Sequence, residues 1–120
     1  MPYKHTNVIL KDKKSNSSSP EDFYINANWV QNPYTSSDSE KNSFIATQGP
    51  IPVSFNNFWR MVWQENVETI VMLCGINENG RIMCDVYWPE NEKKLTYDYL
   101  EVTMTNMVKV NSFYWLRATP

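Results

Sequence analysis

A single amphipathic helix constrains the fold of this chain more than any other feature. Apolar side chains recur along it at helical spacing, at Phe55, Phe58, Trp59 and Val62. This period places them on one face of a helix. Ser54 stands where an N-cap residue is expected, and the pattern predicts a helix over about 55–65. Because one apolar face has to be covered, the helix needs a sheet to pack against.

The other apolar segments have the composition and alternation of β-strands. Strands are predicted over 22–30, 42–49, 68–74, 81–89, 94–107 and 108–119. The apolar run Ile70–Leu73 is uninterrupted, which favours a strand buried on both faces of a sheet. Polar segments over 11–22 and 31–42 are typical of surface loops. Strands, one helix and then more strands together predict an α+β fold with a mixed sheet.

Composition argues against several classes of protein. The net charge is −2 and no basic stripe is present, which argues against nucleic-acid binding. No segment approaches the roughly 20 apolar residues that span a bilayer, and MPYKHTNVIL at the start of the sequence does not have the apolar core of a signal peptide. Two cysteines are too few for a disulfide framework, and with one histidine they offer no metal site. We therefore expect no cofactor and a reducing, cytoplasmic setting.

The stretch IVMLCGINENGRIMC, residues 70–84, has the layout of a phosphate-binding loop with a nucleophilic cysteine. In such a loop, backbone amides surround the phosphate, and an arginine follows after about five residues to grip two of its oxygens. Here six residues separate Cys74 from Arg81, and a strand-like segment follows the arginine where a helix is required. Glu78 would also repel a phosphate. The Asn-Glu-Asn-Gly sequence predicts a hairpin turn between two core strands instead, with Cys84 as a small buried hydrophobe.

Several short motifs follow one another in a recognisable order. They are PYKHTNVIL (2–10), YINAN (24–28), FIATQGP (44–50), FNNFWRMVW (55–63), IVML (70–73), ENGR (78–81) and CDVYWP (84–89). Together they resemble the N-terminal half of the protein-tyrosine phosphatase domain, over residues 2 to about 118. The resemblance implies a twisted mixed sheet flanked by helices. It also implies hydrolysis of phosphotyrosine in protein substrates through a cysteinyl-phosphate intermediate, without a metal.

The resemblance assigns no catalytic residue to this chain. In the family, the nucleophile and the phosphate-binding arginine belong to a "HCSAGxGR" loop, and the general acid belongs to a "WPD" loop. Both loops come later in the family's order of motifs. Trp88 and Pro89 are followed by Glu90 and match the "YWP" motif instead. We therefore expect 1–120 to be an incomplete phosphatase domain that is inactive alone. A non-catalytic, phosphatase-like binding module is the alternative, with some support from Met83 where the family usually has lysine.

Supporting roles also follow from the resemblance. Glu78 matches the glutamate of the family's E-loop, which pairs with the phosphate-loop arginine; otherwise it would be a solvated turn residue. Gln48, Gly49 and Pro50 match the "TQGP" turn and are expected to be structural. Asn26 of "YINAN" is expected to carry a buried amide that has to find hydrogen-bond partners, and so to fix the fold. A receptor-type or a soluble origin remains open.

Overall fold

The computed structural model describes residues 6–11, 24–34, 42–90, 93–110 and 113–119. In these ranges the elements are β1 (Ala27–Gln31), β2 (Asn42–Thr47), α1 (Phe55–Gln64), β3 (Asn77–Glu78), β4 (Arg81–Ile82), β5 (Lys94–Tyr97), β6 (Leu100–Val110) and β7 (Phe113–Thr119). The chain divides into two compact units, Met1–Gly49 and Pro50–Pro120. The α+β fold class predicted from the sequence is confirmed.

The first unit is built on the antiparallel pair of β1 and β2, in which Trp29 lies opposite Ile45. The preceding segment runs beside β1, where the Val8 amide donates to the Ala27 carbonyl at 2.9 Å. Val8 and Leu10 are both buried and Ile9 between them is exposed, so the alternation at the end of this motif corresponds to one packed face. The predicted strand over 22–30 begins only at Ala27, and its first two residues lie outside the described ranges.

The helix α1 confirms the helical periodicity, ending one residue before the predicted boundary. Phe58 and Trp59 are buried, as their phase on the apolar face requires. The expected side-chain cap is wrong, because a 3₁₀ turn over Pro52–Ser54 precedes the helix. In that turn the Ser54 hydroxyl accepts from the Ile51 amide and donates to the Ile51 carbonyl, both at 3.0 Å. Among the described residues, no helix has the length and apolar character to cross a bilayer.

An aromatic cluster holds α1 in the core of the second unit. The Trp59 indole stacks on Tyr97 of β5 with ring centres 5.6 Å apart. Phe58 meets Tyr87 edge-on at 4.9 Å. Both the indole N–H of Trp59, at 2.8 Å, and the hydroxyl of Tyr97, at 3.1 Å, donate to the backbone carbonyl of Tyr87. The helix therefore packs against a strand, as its apolar face predicts.

The third sheet is an antiparallel meander of β5, β6 and β7. A tight turn at Asp98 and Tyr99 divides the segment predicted as one strand over 94–107. Asp98 has φ 60, a left-handed conformation that aspartate tolerates in turns. The apolar alternation shifts by one residue at this turn, since Tyr97 and Tyr99 are followed by Leu100 and Val102, and this shift of phase separates the two strands.

The predicted strand over 68–74 is wrong. Residues 67–73 have no regular structure, and Val71 and Leu73 are 74% and 95% exposed. A strand buried on both faces needs hydrogen-bonding neighbours and a covering layer on each side. No strand within the described ranges pairs with this segment, and every pair there is antiparallel, so the expected mixed sheet is not present in them.

Candidate functional site

The hairpin of β3 and β4 contains the residues that the sequence analysis considered for phosphate binding and for a supporting catalytic role. Glu78 lies opposite Arg81, and Asn77 lies opposite Ile82. Asn79 and Gly80 form the turn with φ 53 and 75, so both lie in the left-handed region. Asparagine tolerates that region and glycine enters it without a Cβ penalty, which is why Asn-Gly favours this two-residue turn. The predicted hairpin turn is confirmed, but the prediction that it joins two core strands is wrong, because β3 and β4 are both exposed. The return strand also extends only over Arg81–Ile82 and not over 81–89.

The Glu78 side chain folds back onto the segment that enters the hairpin. Its Oε1 accepts a hydrogen bond from the Gly75 amide at 2.9 Å. Gly75 directly follows Cys74, and its amide is one that a phosphate cradle would have to aim at the anion. The carboxylate already occupies this donor, and no helix follows Arg81, which lies in β4. The local geometry therefore does not form an anion site around Cys74.

The two thiols differ in exposure. Cys74 is half-buried at the end of the irregular segment, whereas Cys84 is buried; both are free. Burial, followed by the nearby charges of Cys74 and Asp85, raises the pKa of Cys84. Its thiol donates to the Asp85 carbonyl at 3.4 Å. A thiol held protonated in this way is a poor nucleophile at neutral pH, which agrees with the prediction of Cys84 as a buried hydrophobe.

The first unit brings together two of the residues predicted to be structural. The Asn26 amide donates to Gln48 Oε1 at 3.0 Å, and the Asn26 carbonyl accepts the Thr47 hydroxyl at 2.8 Å. Asn26 is half-buried, and its bond to Gln48 is open to solvent. Of the next two residues, Gly49 is exposed and Pro50 is buried. The structural roles proposed for these four residues remain predictions.

The sequence did not reveal the hydrogen-bonding roles of the Gly75 amide and the Tyr87 carbonyl. Both act through backbone atoms, so their residue types carried no signal for the bonds they make. Reasoning from the sequence also gave no metal centre. In the ranges that the structure describes, His, Cys, Asp and Glu side chains do not form a group of three or more that could hold an ion.

Comparison with known proteins identifies relatives along almost the whole chain. The family model "Protein-tyrosine phosphatase" matches residues 1–119. The chain is 42% identical over 106 residues to a Tyrosine-protein phosphatase Lar-like of Caenorhabditis elegans, covering 88% of this chain and 4% of that protein. It is 37% identical over 111 residues to the Receptor-type tyrosine-protein phosphatase F of Rattus norvegicus, covering 92% and 5%. The chain thus spans about a twentieth of the length of these curated relatives.

Proposed function

This chain belongs to the protein-tyrosine phosphatase family, and from that premise we propose that it forms the N-terminal part of a domain that hydrolyses phosphotyrosine in proteins. In such a domain a thiolate attacks phosphorus, an acid protonates the leaving phenol, and water hydrolyses the cysteinyl-phosphate. We propose that none of these groups lies within 1–120, and that the chain supplies scaffold and supporting side chains.

The contact between Glu78 and the Gly75 amide carries this proposal. A nucleophilic Cys74 would require free amides just after it to stabilise the charge on the phosphate oxygens. At 2.9 Å from Gly75 N, the Glu78 carboxylate takes that place and adds a negative charge. A dianionic substrate would have to displace this charge before it could reach Cys74, which is electrostatically unfavourable.

We propose that Glu78 acts by positioning the arginine of the phosphate-binding loop in the completed domain. The hairpin suits this role, since its Asn-Gly turn fixes the end of β3, from which the carboxylate projects. Glu78 is exposed here, and its bond to Gly75 joins the side chain to backbone only three residues away. An arginine could replace that amide as a partner at little structural cost, because a charged bidentate pair is stronger than a single amide bond.

The first experiment is a phosphatase assay on the chain itself. Purified 1–120, incubated with a phosphotyrosine peptide, is expected to release no phosphate above a buffer blank. The matched control is Cys74→Ser, which should behave identically. Phosphate release by the wild-type chain that Cys74→Ser abolishes would overturn the proposal, because Cys74 would then be a nucleophile.

A chimera tests the supporting role. In it, residues 1–119 replace the matching segment of the Receptor-type tyrosine-protein phosphatase F domain. We expect the chimera to be active, and Glu78→Gln to lower kcat about tenfold or more with little change in KM, since a misplaced arginine stabilises the transition state less well. Glu68→Gln, at an exposed carboxylate outside the hairpin, is the control and should leave kcat unchanged. An unchanged kcat in Glu78→Gln would contradict the positioning role. A folded but inactive chimera would instead support the binding-module alternative.

We further propose that the domain works in a reducing compartment. Both cysteines are free thiols, and buried groups such as Cys84 contribute to packing without a disulfide. Proteins containing phosphotyrosine are the proposed substrates, and the receptor-type relatives make a membrane-anchored parent protein compatible with this setting.

A further inference from the structure

The turn of the hairpin between β3 and β4 consists of an asparagine followed by a glycine. No other asparagine of the chain is followed by glycine. Asn79 and Gly80 are both exposed, and a Cβ added at Gly80 would meet nothing within 4 Å. Solvent therefore reaches the turn, and glycine has no side chain that would shield its own backbone nitrogen.

This pair of residues has a reaction of its own. The backbone nitrogen that follows an asparagine can attack the carbonyl carbon of the asparagine side chain and close a five-membered ring. A side chain on the following residue hinders the attack, and Gly80 has none. Asparagine is one of the thermolabile residues of proteins, and this ring closure is a main cause.

The folded turn opposes this reaction. Asn79 has φ 53 and lies in the left-handed region, where ψ is about +47°. This ψ directs the nitrogen of the next residue away from Cβ, whereas ring closure needs the two atoms on the same side of the Cα–C bond. Asn79 therefore has to leave the turn conformation before the Gly80 nitrogen can reach its side chain.

The hairpin is built in a way that lets it open. Each of its strands has two residues, and all four are exposed. It is closed by the Met83 amide, which donates to the Ile76 carbonyl at 2.8 Å, and by the bond between Gly75 and Glu78 at 2.9 Å. Short exposed hairpins with few contacts open locally at a low cost in free energy. The reactive conformation of Asn79 is therefore accessible from the folded chain.

We propose that Asn79 is a deamidation site that the closed hairpin protects, and that its conversion to isoaspartate releases the hairpin permanently. The only co-reactant is water. The inference concerns the turn alone and does not depend on the proposed phosphatase role.

The reaction is balanced in two steps. The Gly80 nitrogen loses its proton to hydroxide and attacks the side-chain carbonyl carbon of Asn79. The bond from this carbon to the side-chain nitrogen breaks, the nitrogen takes up a proton and leaves as ammonia, and a cyclic imide remains. Water then adds to one of the two imide carbonyls and opens the ring. Cleavage at the side-chain carbonyl gives aspartate, and cleavage at the main-chain carbonyl gives isoaspartate, with no change in oxidation state.

The two products differ in their effect on the turn. Both carry a new carboxylate beside Glu78. Aspartate keeps the backbone unchanged and tolerates the left-handed region. Isoaspartate lengthens the backbone by one carbon between Glu78 and Arg81, which are paired across a turn of only two residues. The longer backbone, rather than the charge, is therefore expected to break the pairing of β3 with β4.

The first experiment locates the reaction. The chain is kept folded in mildly alkaline buffer over several days, digested with trypsin, and its 61–81 peptide is sequenced by mass spectrometry. We expect an NH₂ group to be replaced by OH at Asn79 and not at Asn77, which is exposed in the same hairpin but is followed by Glu78. Asn79→Gln is the control and should leave the peptide unmodified, because its longer side chain does not form the five-membered ring. Conversion of Asn77 as fast as Asn79, or none at Asn79, would overturn the proposal.

The second experiment tests the protection by the closed hairpin. The same incubation in urea should speed the conversion of Asn79 at least about fivefold, since the turn is then open all the time. Equal rates in buffer and in urea would show that the closed hairpin does not protect Asn79, and would contradict this part of the proposal.

The third experiment tests the release of the hairpin. The isoaspartate form is isolated by hydrophobic-interaction chromatography and compared with Asn79→Asp, which has the same charge and an ordinary backbone. We expect the Met83 amide to exchange with deuterium at least about tenfold faster in the isoaspartate form. Asn79→Asp should remain close to the wild-type chain. Equal exchange in the isoaspartate form and in Asn79→Asp would overturn the release of the hairpin.

Discussion

The backbone carbonyl of Tyr87 links a helix to a sheet through two side-chain donors. Trp59 donates to it from α1, and Tyr97 donates from the end of β5. All three side chains are buried, so neither donor could find water if the carbonyl were displaced. A buried donor left without a partner costs about 1–3 kcal/mol, which makes this acceptor a critical point of the core.

The first prediction concerns the indole N–H of Trp59. Trp59→Phe keeps an aromatic ring next to Tyr97 but removes the donor and part of the ring volume. We expect the free energy of unfolding to fall by about 2–4 kcal/mol. Urea unfolding followed by far-UV circular dichroism measures this change, with Trp63→Phe as the matched control.

Trp63 lies on the same helix but is 52% exposed. Its replacement by phenylalanine should change stability by less than about 0.5 kcal/mol. Equal losses in the two variants would show that the Tyr87 carbonyl does not set the stability of the helix contact.

At the scale of elements, local chemistry was easier to predict than pairing. The turn at Asn79 and Gly80 was predictable because its two residues specify the backbone conformation on their own. The helix was predictable because its apolar period is carried by ten contiguous residues. The structure of the segment over 68–74 was not predictable, because a strand forms only where another strand pairs with it. An apolar run does not show whether such a pairing strand is present.

The second prediction concerns the hairpin turn. Gly80 has φ 75, and a Cβ added there would meet nothing within 4 Å. Gly80→Ala should therefore incur only the cost of placing an alanine in the left-handed region, about 1–2 kcal/mol. We expect the Met83 amide, which closes the hairpin onto Ile76 at 2.8 Å, to exchange with deuterium roughly 5- to 30-fold faster.

Gly75→Ala is the control for this change. A Cβ at Gly75 would lie 3.6 Å from the Glu78 side chain, an ordinary van der Waals distance, and Gly75 is not among the residues with positive φ. Exchange at Met83 should therefore hardly change. If Gly80→Ala left exchange unaltered as well, the left-handed turn would not limit the opening of the hairpin.

At the scale of the whole molecule, burial couples stability to alkaline pH. Burial raises the pKa of Cys84 above its ordinary 9.0, and raises the pKa of Tyr87 and of Tyr97 above their ordinary 10.0. The unfolded chain therefore loses these protons at lower pH than the folded chain does. Their contribution to stability is intact below the ordinary values and is lost as pH rises through the folded pKa values.

The third prediction follows from this coupling. The urea midpoint should stay level up to about pH 8.5 and fall steadily above about pH 9.5. Tyr97→Phe should make the decline shallower, because one of the buried groups no longer ionises. Tyr99→Phe, at an exposed site in the turn between β5 and β6, should leave the slope of this decline unchanged. A midpoint that stays constant to about pH 11 would contradict the prediction.

The fold class and the hairpin were predictable from the sequence, but the hydrogen bonds of the candidate site were not. Periodicity indicated that Trp59 faces inward, yet it could not identify the Tyr87 carbonyl as its acceptor. The family motifs drew attention to Glu78, but the bond it makes to Gly75 joins a side chain to a backbone amide. Such contacts depend on three-dimensional geometry, which residue types alone do not encode.

The two hydrogen bonds to the Tyr87 carbonyl close two chain loops of different length in the second unit, and closing them costs different amounts of chain entropy. The two donors lie 10 and 28 residues away from Tyr87 along the sequence. The entropy lost in closing a loop grows with the logarithm of its length, so the tryptophan contact costs about 0.9 kcal/mol more in closure than the tyrosine contact. The contact with Tyr97 at the end of β5 therefore costs less entropy to form. The contact with Trp59 of α1 depends more on the packing free energy gained when the helix docks.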